Sequence, residues 1–230
     1  MFSAASRERE PDTYVPYIGH AASGTVLLDD GSLLAMLRLD GAEFELADPS
    51  LVNALHAQRN IMLRNIASDR LVLQTHVVRT LAEGSEYPSE PCSSAFAREL
   101  DERYRDRLLA NRLFRNELFL SVLLRPTGRG GLAQGNVASL FARRKRGDRA
   151  RAATPANLDQ LDSIVATLLY ELQAYGIRRL ELREARGLMF SEIAEALRLV
   201  LTGEHVPVPL VNGHLGGAIY TDRVIVGHIK

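Results

Sequence analysis

The chain has 230 residues, in which 28 lysine and arginine side chains balance 28 aspartate and glutamate side chains. This balance excludes a global electrostatic field that would recruit nucleic acid or an anionic membrane, so any such affinity needs a local patch. The single cysteine, Cys92, excludes an internal disulfide and a zinc site built from several thiolates.

No part of the sequence has the character of a secretion signal or a membrane span. Residues 1–16 mix charged side chains with Pro11 and Pro16, where a signal peptide would need an apolar core. No later stretch approaches the roughly 18 unbroken apolar residues of a transmembrane helix. We therefore expect a soluble chain, cytoplasmic if its source is bacterial.

The first predicted unit, residues 1–127, opens with a β-hairpin. Two apolar runs, Thr25 to Leu28 and Leu33 to Leu39, flank the sequence Asp29-Asp30-Gly31. These three residues tolerate the backbone angles of a tight turn, so the two runs are predicted to pair as neighbouring strands.

A helix, a strand and a second helix are predicted after the hairpin. Asp48 and Pro49 predict the first helix start, because the carboxylate can cap free amides and proline lacks an N–H that the first turn leaves unbonded. Leu71 to Arg79 is rich in β-branched residues and is predicted to be a strand. The second helix is predicted to carry one apolar stripe, formed by Phe96, Leu100, Tyr104 and Leu108.

The stretch from Asn116 to Pro126 is predicted to be the central strand of the sheet. Only Ser121 interrupts its apolar run, which is too continuous for a strand with one face in water. Pro126 cannot donate a ladder hydrogen bond, so we expect the strand to stop there. A buried helix segment is the alternative that periodicity alone leaves open.

Residues 128–156 are predicted to form a flexible basic connection. Their composition changes to Gly, Arg, Ala and Pro. They contain a cluster of cationic residues and a single acidic residue, Asp148. Such a run can contact the phosphates of nucleic acid or lipid headgroups, or a protein partner, although a solvated loop is the simpler interpretation. The candidate anion or partner contacts are Arg143, Arg144, Lys145, Arg146, Arg149 and Arg151.

The last predicted unit, residues 157–230, is a smaller αβ subdomain that begins with a helix. Gly176 is predicted to end this helix before a short strand at Arg178 to Leu182. The apolar positions that predict the helix are Leu158, Leu161, Val165, Leu168 and Leu172.

One further helix and two short apolar runs complete the predicted elements. Ser191 is predicted to cap the helix, with Glu192 in its first turn, and Gly203 is predicted to end it. The runs Ala218 to Tyr220 and Val224 to Val226 are candidate edge strands. Together the elements predict an α+β fold, a mainly antiparallel sheet with helices packed on one face, resembling ferredoxin-like units.

The search for catalytic motifs is negative. A P-loop needs Gly-Lys-Ser or Gly-Lys-Thr after its glycines, and neither tripeptide occurs after the glycine cluster at Gly128 to Gly135 or elsewhere. The six histidines show no helical pair with an intervening acid, and no Gly-x-Ser-x-Gly elbow is present. We therefore predict no catalytic, cofactor or metal residues, and interpret His76 as a packed or hydrogen-bonded strand residue.

Six short segments carry a resemblance to a known family. They are Leu28 to Leu34, Arg38 to Gly41 with Phe44, His76 to Arg79, Phe96 to Tyr104, Asn116 to Pro126, and Phe190 to Gly203. Together they resemble the large ATPase component of bacterial type IV secretion and conjugation machines, the CagE/TrbE/VirB family. The segments follow the family's order over most of residues 14–226, and each is a packing or turn signature.

The resemblance implies an N-terminal, non-catalytic docking and assembly module that attaches an ATP-hydrolysing motor to the inner-membrane complex. It implies partners among the small inner-membrane secretion components, contact with its own motor domain, a homo-oligomeric parent protein and a peripheral position at the inner membrane. ATP and magnesium are expected only for the motor, which we expect in polypeptide beyond Lys230. Nucleic-acid binding through the basic residues Arg143 to Arg151 is the alternative function, and ATP turnover by this chain alone is a third.

Overall fold

The computed structural model describes residues 15–42, 47–82, 93–126, 154–210 and 213–219. No helix in these ranges is both long enough and apolar enough to cross a membrane. In chain order the elements are β1 (Tyr17–Ala22), β2 (Thr25–Leu28), β3 (Leu33–Leu39), α1 (Pro49–Ile66), β4 (Leu71–Leu81), α2 (Ala95–Leu109), β5 (Phe114–Leu124), α3 (Pro155–Glu171), β6 (Arg178–Arg179), β7 (Leu182–Ala185), β8 (Leu188–Ser191), α4 (Glu192–Thr202) and α5 (Leu215–Ile219).

One six-stranded antiparallel sheet organises the fold. Its main path runs β1-β2-β3-β5-β4, and β6 pairs with β3. Because β5 occupies one edge of β3, β2 and β6 share the other edge. The strands β4, β5, β3 and β6 therefore stand in the order of a ferredoxin-like unit, with α1 and α3 as its crossover helices. The predicted α+β class with a mainly antiparallel sheet is confirmed.

The central position of β5 confirms the prediction for Asn116 to Pro126. This strand pairs with β3 from Leu118 to Leu124 and with β4 along its whole length. Phe119 packs into the core on one face, whereas Leu120 and Val122 pack into the core on the other. The strand ends at Leu124, two residues before Pro126, and the alternative of a buried helix is wrong.

Helices lie on both faces of the sheet and not on one face only. The helices α1 and α3 cover the face that carries Leu33, Ala35 and Leu37 of β3, together with Leu120, Val122 and Leu124 of β5. The helices α4 and α5 cover the opposite face, which carries Leu34 and Met36. Both alternating sets of β3 side chains are apolar, so an uncovered face would leave apolar surface in water.

The local signals at element ends act as the sequence predicts. In the first hairpin, Gly31 has a φ of 84°, and the Ser32 N–H donates to Asp30 Oδ1 at 2.8 Å. At the start of α1, Asp48 Oδ1 accepts a hydrogen bond from the Ser50 N–H at 2.8 Å. Ser191 Oγ caps α4 by accepting from the Ala194 N–H at 3.0 Å. These contacts satisfy amides that the helix and turn leave free.

Two predicted elements differ from the structure. The apolar stripe of α2 is exposed, with Phe96 76% accessible and no buried residue in the helix. Amphipathic spacing therefore predicted the helix correctly, but it did not predict that the apolar stripe is exposed. The strand predicted at Arg178 to Leu182 is shorter, because only Arg178 and Arg179 pair with β3 before the chain turns away into β7.

The predicted edge strand at Ala218 to Tyr220 is wrong for the residues described. Ala218 and Ile219 belong to α5, whose Leu215 and Ile219 are buried against the α4 face of the sheet. The spacing of four residues between these two apolar side chains suits a helix turn. The run Val224 to Val226 lies outside the described residues.

The structure also contains strands that the sequence interpretation did not identify. β1 forms an outer strand beside β2, with irregular register. β7 and β8 form a separate hairpin whose turn holds Arg186 and Gly187 at positive φ angles of 54° and 75°. Strands from the first and last predicted units share the main sheet, and the predicted boundaries around 128–156 stay a prediction, since most of those residues lie outside the described ranges.

The packing of α3 gives a direct test of the fold. We expect Leu161→Ala to lower the free energy of unfolding by about 2–5 kcal/mol, because Leu161 is fully buried beneath the sheet. Urea unfolding followed by circular dichroism measures the change. The matched control is Leu51→Ala on α1, an exposed leucine, where we expect a change within about 0.5 kcal/mol. Equal losses in the two variants would contradict this packing.

Candidate functional site

The pair β4–β5 extends beyond the end of β3. β3 reaches β5 only as far as the pair Leu39 and Leu118. Residues 77–81 of β4 and 114–118 of β5 continue the pairing to Leu81 and Phe114. We call these two segments the ribbon. Because directly opposite residues of an antiparallel pair point to the same face, the ribbon has two faces of distinct chemistry.

One ribbon face forms the floor of a polar cleft next to the end of α4. This cleft has a volume of about 530 Å³. A smaller pocket of about 50 Å³ shares Arg38, Glu117 and His205 with it and leads towards the body of α4. The residues that line the polar cleft are Arg38, Thr80, Arg115, Glu117, Gly203 and His205, and Leu81 borders it from the end of the ribbon.

A buried carboxylate, Glu117, lies at the centre of the polar cleft. Its side chain is 2% exposed, and it accepts hydrogen bonds from His205 Nε2 at 2.8 Å and Arg115 Nη2 at 3.1 Å. The Arg38 guanidinium forms an ion pair with it at 3.8 Å. Three donors of positive or potentially positive charge therefore surround one carboxylate.

The pKa of Glu117 lies below its ordinary value. Burial raises this pKa, but the hydrogen bond from His205 and the charges of His205, Arg115 and Arg38 lower it by more. The carboxylate is therefore ionised in the folded protein at neutral pH. A buried, ionised carboxylate contributes to stability only while its cationic partners remain in place.

A second ion pair lies beside the cleft, between β6 and α4. Arg178 Nη1 donates to both carboxylate oxygens of Glu192 at 3.0 and 3.1 Å, and the Glu181 N–H donates to the same carboxylate. Burial raises the pKa of Glu192, but these hydrogen bonds and the charges of Arg178 and Arg183 lower it below the ordinary value. Arg178 is directly opposite Arg38 in the β3–β6 register. Glu192 thus compensates Arg178.

The opposite face of the ribbon is apolar and exposed. Val77 is 64% accessible, Leu81 61% and Phe114 49%. The Arg79 guanidinium stacks over the Phe114 ring at 4.4 Å from its centroid. We call these four residues the apolar ribbon face. Among the described strands β5 alone pairs with β4, so the outer edge of β4 carries backbone groups without a strand partner.

Two serine–histidine pairs have structural explanations. His20 Nε2 lies 2.7 Å from Ser191 Oγ, but Ser191 is fully buried and caps α4. Burial lowers the pKa of His20, and hydrogen bonds to the backbone of Ala22 and Ser23 only partly oppose this. His76 Nε2 lies 2.9 Å from Ser121 Oγ across the β4–β5 pair, which confirms the interpretation of His76.

The metal-ligating residue types do not cluster in the part of the chain that the structure describes. No three His, Cys, Asp or Glu side chains converge there as a metal site needs. The cationic cluster predicted as an anion or partner contact lies outside the described residues, so its placement stays a prediction. That cluster is Arg143, Arg144, Lys145, Arg146, Arg149 and Arg151.

The sequence interpretation did not identify the polar cleft. One signal was available, because Glu117 is a lone acid two residues before Phe119 at the entry to an apolar strand. Period-two alternation places both side chains on the same face. A carboxylate on a core-facing position needs partners. His205 and Arg38, however, come from elements more than 75 residues away from Glu117, and no local pattern connects them.

Comparison with known proteins gives the class of the chain. Residues 24–131 match the family described as type IV secretion system ATPase VirB4/TrbE, N-terminal domain. Over 98% of its length the chain is 40% identical to protein virB4 of Agrobacterium fabrum and 33% identical to type IV secretion system protein virB4 of Bartonella quintana. It is 29% identical to the type IV secretion system protein PtlC homolog of Bordetella bronchiseptica, again over 98% of its length.

These matches and the α+β fold define a domain of a type IV secretion ATPase. The chain belongs to the VirB4/TrbE family and corresponds to its N-terminal domain. It spans about 28% of the length of the virB4 relatives and 27% of the PtlC homolog. The resemblance stated from six short segments is therefore confirmed.

The lowered pKa of Glu117 predicts how the free energy of unfolding changes at acidic pH. A lowered folded pKa means that the carboxylate contributes stability above its ordinary pKa of 4.5, and that this contribution is lost as the pH falls through the folded value. We expect Glu117→Gln to cost about 1–3 kcal/mol at pH 7, the effect of losing charged hydrogen bonds. The difference between variant and wild type should shrink below about pH 4.5. Urea unfolding at a series of pH values measures it.

The control for this prediction is Glu184→Gln, since Glu184 is exposed on β7. We expect this variant to follow the wild-type stability within about 0.5 kcal/mol at each pH. A constant difference between Glu117→Gln and wild type from pH 7 to pH 3 would show that ionisation of Glu117 contributes nothing.

Proposed function

We propose that this chain is a non-catalytic docking and assembly module that attaches the ATP-hydrolysing motor of a type IV secretion ATPase to inner-membrane components. Membership of the VirB4/TrbE family supports the secretion context. The observation that carries the docking role is the apolar ribbon face. Its Val77, Leu81 and Phe114 side chains are exposed, and none of the helices that the structure describes covers them.

The exposure of these side chains suits a protein contact. Single exposed apolar residues are common on protein surfaces, but a contiguous group on a projecting element marks an interaction site. Covering such side chains removes apolar area from water, which favours association by about 25 cal/mol per Å² before the costs of binding. The Arg79 guanidinium lies over the Phe114 ring, and aromatic and arginine side chains are frequent binding anchors.

The outer edge of β4 offers a second element of the same surface. An extended partner segment can add to an exposed strand edge through backbone hydrogen bonds, while its alternate side chains contact the apolar face beside that edge. Val77 and Leu81 lie on this face at even spacing along β4. We infer that a partner strand binds here, with affinity from the backbone and specificity from these side chains.

The exposed stripe of α2 supports a contact with a second segment. Phe96, Leu100 and Tyr104 are more than half accessible and lie on one side of the helix, and Glu99 and Arg103 form an exposed ion pair. An amphipathic helix whose apolar side is open can pack into a groove of a partner. We infer that α2 contributes to the same docking function.

Several features of the whole protein follow from this proposal. The motor would bind ATP and magnesium, the assembled protein would be a homo-oligomer, and the module would lie at the cytoplasmic side of the inner membrane. The names of the relatives support only that such proteins belong to type IV secretion systems. Fixing a motor to an inner-membrane complex gives ATP hydrolysis a stationary support.

The double variant Val77→Ser with Leu81→Ser tests the docking role. We expect the tagged chain to recover inner-membrane secretion components from membrane extracts of cells that express the whole system. We expect the double variant to recover about tenfold less, because about 1.4 kcal/mol of binding free energy corresponds to a factor of ten. Quantitative mass spectrometry of the captured secretion components measures the recovery.

The matched control is Leu188→Ser, an exposed leucine on β8 outside the ribbon. It should recover the same components as wild type. Thermal unfolding of each variant shows that the comparison uses folded protein. If wild type recovers no secretion component, or if the double variant recovers as much as wild type, the apolar ribbon face is not the docking surface.

The second candidate function is nucleic-acid binding, for which the observation is the cationic run at 143–151. Phosphate contacts by this run would make retention on DNA fall steeply with salt concentration. If this function is correct, retention on a DNA column at low salt should fall in the combined variant Arg143→Gln, Arg144→Gln, Lys145→Gln and Arg146→Gln. Unchanged retention would exclude it. Bovine serum albumin in the same buffer reports non-specific retention.

A further inference from the structure

We propose that the outer edge of β4 selects a partner strand that carries an acidic residue midway between two apolar residues, in the spacing apolar-x-acid-x-apolar. The acid lies opposite Arg79, and the two apolar side chains lie opposite Val77 and Leu81, which flank Arg79 at even spacing. This inference rests on the proposed docking function, since it names the kind of sequence that the apolar ribbon face recognises. Exposed apolar surface alone would set no requirement for charge.

The outer edge of β4 lacks the features that usually protect a strand edge. β4 pairs with β5 through 11 consecutive residues, Leu71 to Leu81, in a register without a bulge. It contains no proline and no lysine, whereas exposed edges commonly carry lysine, proline or a bulge. No other strand that the structure describes pairs with this edge. A long and regular edge of this kind is a template for an added strand.

The exposed part of the face beside this edge spans residues 77–81. Leu71 and Leu73 lie on the same face but are partly buried, because they pack against the core that α1 and α3 cover. Further along, Val77 and Leu81 are 64% and 61% accessible. Directly opposite residues of neighbouring strands point to the same face, so an added strand places every second side chain over this face. Its contacts are therefore with Val77, Arg79 and Leu81.

Arg79 is the one charged residue on this face of the ribbon. Its guanidinium lies over the Phe114 ring, 4.4 Å from the centroid, and Asn116 is directly opposite it on β5. It forms no ion pair with any residue that the structure describes. The other residues of the face are Val77, Leu81, Phe114, Asn116 and Leu118. A cation without a counter-charge therefore lies among mainly apolar side chains at an open strand edge.

An acidic residue is the best partner for the position opposite Arg79. Opposite charges at directly opposite positions of neighbouring strands attract, whereas like charges there destabilise the pairing. The planar guanidinium also presents a fork of N–H donors that matches the two oxygens of a carboxylate. A lysine or arginine at this position would bring two cations together beside apolar surface. The edge of β4 therefore discriminates between partner strands by charge.

The two flanking positions of the partner strand favour apolar, β-branched side chains. Such side chains cover Val77 and Leu81, and apolar cross-strand pairs stabilise a sheet. Because Arg79 lies midway between Val77 and Leu81, the acid lies midway between the two apolar residues. The spacing reads the same in both directions, so the recognition holds whether the added strand runs parallel or antiparallel to β4.

Binding of synthetic peptides to the 230-residue chain tests the proposal. The probe is fluorescein-labelled Ser-Thr-Val-Thr-Glu-Thr-Val-Thr-Ser, in which glutamate lies midway between two valines. A second peptide has lysine in place of the glutamate, and a third has the same composition in an order that destroys the spacing. We expect saturable binding of the first peptide in fluorescence anisotropy, binding about 2- to 30-fold weaker for the lysine peptide, and no saturable binding of the reordered peptide.

Reversing the charge on the protein connects this preference to Arg79. We expect Arg79→Glu to bind the lysine peptide more tightly than the glutamate peptide, which is the reverse of wild type. A loss of structure would weaken both peptides and would not reverse their order. Arg79→Gln should bind the two peptides equally. The matched control Arg103→Glu, at the exposed ion pair of α2, should keep the wild-type order.

The proposal is overturned if no peptide gives saturable binding, if wild type binds the glutamate and lysine peptides equally, or if Arg79→Glu keeps the wild-type order. These outcomes are distinct from failure of the docking role, which is measured by recovery of secretion components with the Val77 and Leu81 double variant. Recovery that depends on these two residues, without a charge preference among the peptides, would keep the docking role and remove the acidic motif. A charge preference with recovery unchanged in the double variant would have the converse meaning.

Discussion

The constraint on which the structure depends is the burial of β5 on both faces. An apolar strand with no polar side must be covered twice, and it must also pair along both edges to satisfy its backbone. β3 and β4 satisfy the edges, while α3 with α1 and α4 with α5 cover the two faces. The layers of the fold, helices on each side of a mainly antiparallel sheet, follow from this one strand.

In the ribbon, β5 is no longer buried on both faces. In the part of the chain that the structure describes, no third strand accompanies the β4–β5 pair beyond Leu118, and the end of α4 with the residues after it approaches only one of its faces. Its residues therefore change from apolar on both faces to apolar on one and polar on the other. Glu117 marks the change, because it is the first residue of the strand, from that end, to be buried. The docking surface and the polar cleft are the two sides of the same extension.

The sequence predicted the parts of the fold that depend on local signals. Asp48, Ser191, Gly203 and the Asp29-Asp30-Gly31 turn mark element ends, since their capping and turn contacts involve residues nearby in sequence. The stripe of α2 shows the limit of this reasoning. Spacing identifies an amphipathic helix, but only the three-dimensional structure shows whether another element covers it.

The candidate site was less predictable than the fold. Glu117, Arg38 and His205 are each unremarkable in sequence, because a lone acid, arginine or histidine has no motif. The cleft arises only when β3, β5 and the segment after α4 come together. The basic cluster was conspicuous in sequence for the opposite reason, since contiguous charge is a local property. A contiguous run of charge can therefore be found from the sequence, whereas a site assembled from distant segments is found only in the structure.

The order of strands in the sheet has a consequence for synthesis of the chain. β3 pairs with β5 and β6, and its second face is covered by α4, which ends at Thr202. At about 5–20 residues per second, a ribosome needs on the order of ten seconds or more to pass from β3 to the end of α4. Throughout that interval the face of β3 that carries Leu34 and Met36 lacks the helix that covers it in the folded domain. The late arrival of this cover is set by topology, because the helix that shields this face of β3 lies far along the chain from it.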